Sequence, residues 1–175
     1  SFGLENALWF ADGPENAIET PTLRRSNAFP YVGEEVKAVR ERVGAIEIAN
    51  FAKHEIKGPG AEQFLDRILA CKLPKVGRLT LTPMLTPSGK LYGDLTVARM
   101  DAETFYLFGS GTAQEMHRRW FEQHMPATGV SYRNRSDELH GISISGPQSR
   151  ELLSRICRDD VSNEGLKFRD LRRTS

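Results

Sequence analysis

His54-Glu55-Ile56-Lys57-Gly58-Pro59, followed by Phe64-Leu65-Asp66-Arg67-Ile68, recurs 88 residues later as Ile142-Ser143-Ile144-Ser145-Gly146-Pro147, followed by Leu152-Leu153-Ser154-Arg155-Ile156. Ile56 and Ile144, Gly58 and Gly146, Pro59 and Pro147, Arg67 and Arg155, and Ile68 and Ile156 all keep that one offset. A strand that ends in Gly-Pro and feeds a helix obeys local physics. Gly tolerates the sharp exit, and Pro is welcome near a helix start because it has no N–H to lose there. One register held across strand, turn and helix predicts an α+β fold of two related halves, each a mixed or antiparallel sheet with helices packed on it.

The remaining elements are read outward from this repeat. Residues 1–33 carry Pro14, Pro21 and Pro30 without a sustained period and read as a linking or docking segment. Trp9-Phe10 and Phe29-Pro30-Tyr31 are too apolar for a free tail. Regular structure is expected from Glu34, where Val36, Val39 and Val43 have helical spacing and Gly44 supplies a stop. Strands are expected at 45–49, 54–57, 78–84, 91–99, 105–108, 130–133 and 140–145, and helices after Gly58, over 112–124 and over 149–157. Residues 34–175 therefore form the folded domain.

Composition narrows the function classes. The 175 residues include 24 Lys+Arg and 23 Asp+Glu, a net charge of +1, so the basic excess of a sequence-independent nucleic-acid binder is absent. The longest uncharged stretches, 79–89 and 104–114, have 11 residues each. A membrane helix needs roughly 20 apolar residues, so no transmembrane helix is expected. Two cysteines, Cys71 and Cys157, make neither a disulfide framework nor a Cys-rich zinc site. They read as inert structural thiols, and a reduced, cytoplasmic setting is the default. Ser1-Phe2-Gly3-Leu4-Glu5 has neither an initiator Met nor a signal-peptide pattern, and the other end is still half apolar, so the chain is expected to be cut from something longer.

The most informative strand is Leu91-Tyr92-Gly93-Asp94-Leu95-Thr96-Val97-Ala98-Arg99. Alternation sends Leu91, Gly93, Leu95 and Val97 one way, and Tyr92, Asp94, Thr96 and Ala98 the other. Asp is disfavoured inside strands, so Asp94 either sits on a solvated face or lines a site. The next strand, Thr104-Phe105-Tyr106-Leu107-Phe108, offers one aromatic pair, Tyr106 and Phe108, to flank it. Aromatic walls with a single carboxylate suit a flat heteroaromatic ligand bearing N–H donors; ordinary core packing is the other reading. His117 and His124 share a helix without a third ligand and read as solvated or capping, and His54 and His140 stand alone. No metal site is expected. Gly58-Pro59-Gly60 and Gly109-Ser110-Gly111 match no phosphate-cradling pattern, so no flavin or nucleotide site is encoded here.

Together these segments resemble the folate-binding aminomethyltransferase family, which includes the T-protein of the glycine cleavage system. They are most similar to the folate-binding portion of dimethylglycine and sarcosine dehydrogenases. The likeness is carried by Tyr31 to Glu41, Ile46 to Lys53, Leu81 to Val97, Ile144 to Leu153, Val161 to Glu164 and the Leu8-Trp9-Phe10-Ala11 segment. The run ending in Asp94 is its most specific part.

The resemblance implies the N-terminal part of the aminomethyltransferase folate-binding fold, with tetrahydrofolate as cofactor. It implies Asp94 as the catalytic carboxylate beside the folate nitrogens, and Phe51, Leu81, Tyr106 and Phe108 around the pterin and aminobenzoate. The substrate it implies is a one-carbon unit, methylene or methyl, from a methylated amine. FAD would belong to a missing N-terminal flavin domain, and C-terminal subdomains would complete the folate grip. The isolated chain is then expected to turn over no dimethylglycine or sarcosine. Two further classes stand beside this reading. One is a non-catalytic folate-fold module, such as an iron–sulfur assembly helper, or a stand-alone aminomethyltransferase fragment. The other is a single-strand RNA platform stacking bases on Tyr106 and Phe108, against which the charge balance argues.

Overall fold

The computed structural model describes residues 7–174; the reading of Ser1 to Glu5 lies outside them. In chain order the elements are α1 (Phe29–Glu41), β1 (Gly44–Glu47), β2 (Ala52–Lys57), α2 (Ala61–Ile68), β3 (Arg78–Leu85), β4 (Leu91–Arg99), β5 (Thr104–Gly109), α3 (Gln114–His124), β6 (Ser131–Asn134), β7 (Ile142–Ser145) and α4 (Ser149–Ile156). The described residues divide into two compact units, 7–46 with 144–153, and 47–143 with 154–174.

The larger unit is built on a five-stranded sheet in the order β3-β4-β5-β2-β6, with every neighbour antiparallel. Period-two alternation decides its two faces. Ile56, Leu95, Val97, Phe105 and Leu107 are buried together with Phe64, Leu65 and Ile68 of α2 and Phe121 of α3. Burial of side chains this size stabilises by roughly 1.5–3 kcal/mol each before entropy is counted. The opposite face carries Asp94, Thr96, Tyr106 and Phe108. Pro83, with no N–H to give to a ladder, is tolerated because β3 is an edge strand.

In the smaller unit, the 7–28 segment docks on α1. Trp9 and Tyr31 rings lie 5.5 Å apart, and the Tyr31 hydroxyl donates to Asp12 at 2.9 Å. The helix begins at Phe29, earlier than Glu34, because Pro30 occupies its first turn, where a missing N–H is harmless. β1 and β7 form a separate two-stranded sheet.

The Gly-Pro repeat is structural as well as sequential. Gly58 and Gly146 both take positive φ, 131° and 121°. Each accepts the N–H three residues on, from Ala61 at 3.0 Å and from Ser149 at 3.1 Å. At the following equivalent position, Gly60 N–H donates to Gly129 O, and Gln148 N–H to Arg42 O, both at 2.9 Å. Those same two carbonyls stand where a Cβ on Gly58 or Gly146 would go, which makes glycine obligatory at both.

Candidate functional site

Asp94 reaches its position through a defect in the sheet. β3 and β4 pair Met84 with Gly93 but Leu85 with Leu91, leaving Tyr92 as an extra residue. A bulge of this kind turns a side chain out of alternation. Tyr92 accordingly leaves the Asp94 face, contrary to the simple alternating reading, and its ring lies 4.4 Å from that of Trp120 on α3. Leu91, in turn, is exposed.

Without Tyr92 beside it, Asp94 opens into a concavity of about 360 Å³. Its walls are Phe51, Leu81 and Phe108, with Asn50, Thr96 and the 109–111 loop completing the rim. The register accounts for the grouping, because Leu81 and Phe108 are the two cross-strand partners of Thr96. Phe51 arrives from the turn before β2. Of the residues singled out in the sequence, Asp94, Phe51, Leu81 and Phe108 therefore share one hollow. Tyr106 does not line it. It sits two residues back on β5, stacked 6.3 Å from Phe108, and its hydroxyl donates to Glu55 at 2.6 Å. Arg135 pairs with the same Glu55 carboxylate at 3.3 Å.

Behind the Asp94 face lies a histidine pair that the sequence did not reveal. His117 is 1% exposed, where a solvated or capping residue was expected, and His54 is fully buried with Nδ1 3.0 Å from the Tyr132 hydroxyl. Their rings lie 5.9 Å apart. Burial first, and then the charge of His117, lower the His54 pKa to about 4. Burial also lowers that of His117, opposed by the Asp94 charge. Both imidazoles are therefore neutral near pH 7. Gly93 and Gly109 make room for His117, since a Cβ on Gly93 would meet Nε2 at 2.5 Å. His124 keeps a capping role, its Nδ1 2.8 Å from Trp120 O. One signal was available: His117 lies one helical turn before the buried Phe121.

Among the described residues no group of three or more His, Cys, Asp or Glu is placed to hold a metal, and no helix is long and apolar enough to cross a membrane. Both cysteines are free.

The sequence matches the GCVT N-terminal domain over residues 1–175. The chain belongs to that family. Rat mitochondrial dimethylglycine dehydrogenase is 37% identical over 169 residues, which cover 95% of this chain and 20% of that protein. An aminomethyltransferase of Chloroherpeton thalassium is 32% identical over 136 residues, 77% of this chain and 37% of that one. This GCVT N-terminal domain thus spans between a fifth and two fifths of those curated relatives.

Among solved structures, the glycine cleavage system aminomethyltransferase T of Bartonella henselae superposes with a TM-score of 0.66 at 18% identity, covering 78% of this chain and 37% of that one. The heterotetrameric sarcosine oxidase of a Corynebacterium species gives 0.56 at 18% identity, over 82% of this chain and 71% of that one. The fold is the aminomethyltransferase N-terminal fold of helices on antiparallel sheet, and its relatives are parts of larger or multi-subunit enzymes.

Proposed function

We propose that this domain contributes the carboxylate-bearing part of a tetrahydrofolate site, at which a one-carbon unit derived from an N-methylated amine is transferred. The observation that carries the reading is the placement of Asp94 in a hollow walled by Phe51, Leu81 and Phe108. Its size lies within the roughly 300–1,000 Å³ of small-ligand sites. The donor set fits the cofactor as well: apolar and aromatic walls accept a flat ring system, and a carboxylate accepts hydrogen bonds from its nitrogens. Tetrahydrofolate, when bound, supplies the nucleophilic amine that receives the one-carbon unit.

The residues of this chain have separable tasks. Phe51, Leu81 and Phe108 bury the ring and exclude water from one side. Asp94 as a carboxylate orients an N–H of the ligand and stabilises the positive charge of an incoming iminium or aminomethyl group. It then takes that N–H proton as the new C–N bond forms, and returns it to the departing amine as the old C–N bond breaks. The one-carbon unit is supplied by flavin-dependent oxidation of an amine of the dimethylglycine or sarcosine class, outside this chain, where FAD belongs. The two free thiols suit a reducing compartment, of which we propose the cytoplasm; the mitochondrial names belong to the relatives.

Calorimetric titration of the full-length protein with tetrahydrofolate tests the reading. Saturable binding is expected, weakened tenfold or more by Phe51→Ala or Leu81→Ala. Absence of binding, or affinity indifferent to both substitutions, contradicts it.

A further inference from the structure

Lys53 is 2% exposed, a burial that lysine seldom accepts without a carboxylate beside it. Its Nζ donates instead to two backbone carbonyls, Ala49 O and Phe51 O, each at 2.7 Å. The main chain of Lys53 is itself fixed from the other side. Its N–H donates to Ser136 Oγ at 2.9 Å, and its carbonyl accepts from Arg135 N–H at 2.7 Å. Across β5 it is paired with Phe108, a wall of the hollow. The ammonium is therefore anchored to the sheet and grips the turn that carries Asn50 and Phe51. That turn closes with Phe51 N–H donating to Ile48 O at 3.2 Å. Gly111 packs against the Asn50 carbonyl so closely that a Cβ there would collide with it.

We infer that Lys53 is a positioning residue: its ammonium clamps the 49–51 turn so that Phe51 stands preorganised as a wall of the ligand hollow. Hydrogen bonds from a charged donor are roughly twice as strong as neutral ones. A compact ammonium also serves two carbonyls at once from a buried position. A wall held in place before the ligand arrives avoids the ordering cost that a mobile Phe51 would add to binding. The ligand named here rests on the tetrahydrofolate reading, whereas the clamp itself does not.

A double-mutant cycle in the full-length protein tests the inference, with tetrahydrofolate as the probe. Lys53→Met keeps the stem and removes the donors; it is expected to raise the Kd tenfold or more. In a Phe51→Ala background the same change is expected to cost less than threefold, because the residue it positions is gone. Lys53→Gln, retaining one donor group, should fall between and serves where Lys53→Met does not fold. A Kd within twofold of wild type in a folded Lys53 variant, or an equal penalty in both backgrounds, overturns the inference. Amide hydrogen exchange without ligand separates the two claims. Loss of the clamp should speed exchange at Phe51 N–H by tenfold or more, and unchanged exchange overturns the clamp even if tetrahydrofolate fails to bind.

Discussion

His54 and His117 meet edge to face in the core of the larger unit, ring centroids 5.9 Å apart and planes at 73°. Neither is positioned to carry a proton without cost. Burial lowers both pKa values, that of His54 to about 4 against an ordinary 6.5, with Glu115 opposing the shift and the Tyr132 hydroxyl bonded to Nδ1.

The sign of the resulting pH dependence follows from linkage. Between pH 6.5 and about 4 the unfolded chain binds more protons at His54 than the fold does. The contribution of His54 is therefore complete above about pH 6.5 and is lost as pH falls toward 4, and that of His117 is lost in the same direction. For His54 it amounts to on the order of 3 kcal/mol. Urea midpoints should fall between pH 7.5 and 5, and less so in His54→Gln. NMR titration of the wild-type imidazoles should find His54 neutral at pH 5 and His117 titrating below the ordinary 6.5. A protonation midpoint at or above 6.5 for either contradicts this.

Gly58 and Gly146 share a positive φ and a carbonyl in the place of a Cβ. Gly58→Ala and Gly146→Ala should each destabilise by about 1–3 kcal/mol or more, visible as a lower thermal midpoint. Substitution at either position with a change under about 0.5 kcal/mol would show that the turn relaxes freely.

Tyr92 belongs to the packing around Trp120 and not to the ligand hollow. Tyr92→Ala should cost about 2–4 kcal/mol in stability and leave tetrahydrofolate affinity within threefold. Loss of affinity at unchanged stability would return Tyr92 to the Asp94 face.

Much of this arrangement was legible before any coordinates. The Gly-Pro repeat announced its two turns, because φ and steric demands at glycine act locally. Alternation along β5 separated Phe105 and Leu107 from Tyr106 and Phe108, because pleating imposes period two. Tyr92 was misplaced because a one-residue bulge leaves no trace in periodicity. The early start of α1 was hidden by Pro30, read as punctuation although a first helical turn accepts it. Lys53 and His117 escaped because residue type suggests solvent, whereas partners distant in sequence bury them. On α3 Met116 is exposed, and His117 takes the buried place.

The central claim is that Asp94 performs proton transfer in a folate site. Asp94→Asn keeps the shape of the carboxylate and removes its charge and its capacity to take a proton. Tetrahydrofolate should bind the full-length Asn variant within roughly tenfold of wild type, about 1.4 kcal/mol, because the ring burial survives. Amine oxidation should be unchanged. The most direct measurement is single-turnover formation of methylene-tetrahydrofolate, expected to fall on the order of a hundredfold or more, the scale of losing a positioned acid–base group. A wild-type transfer rate in the Asn variant would contradict the account and leave Asp94 as an acid on a solvated sheet face.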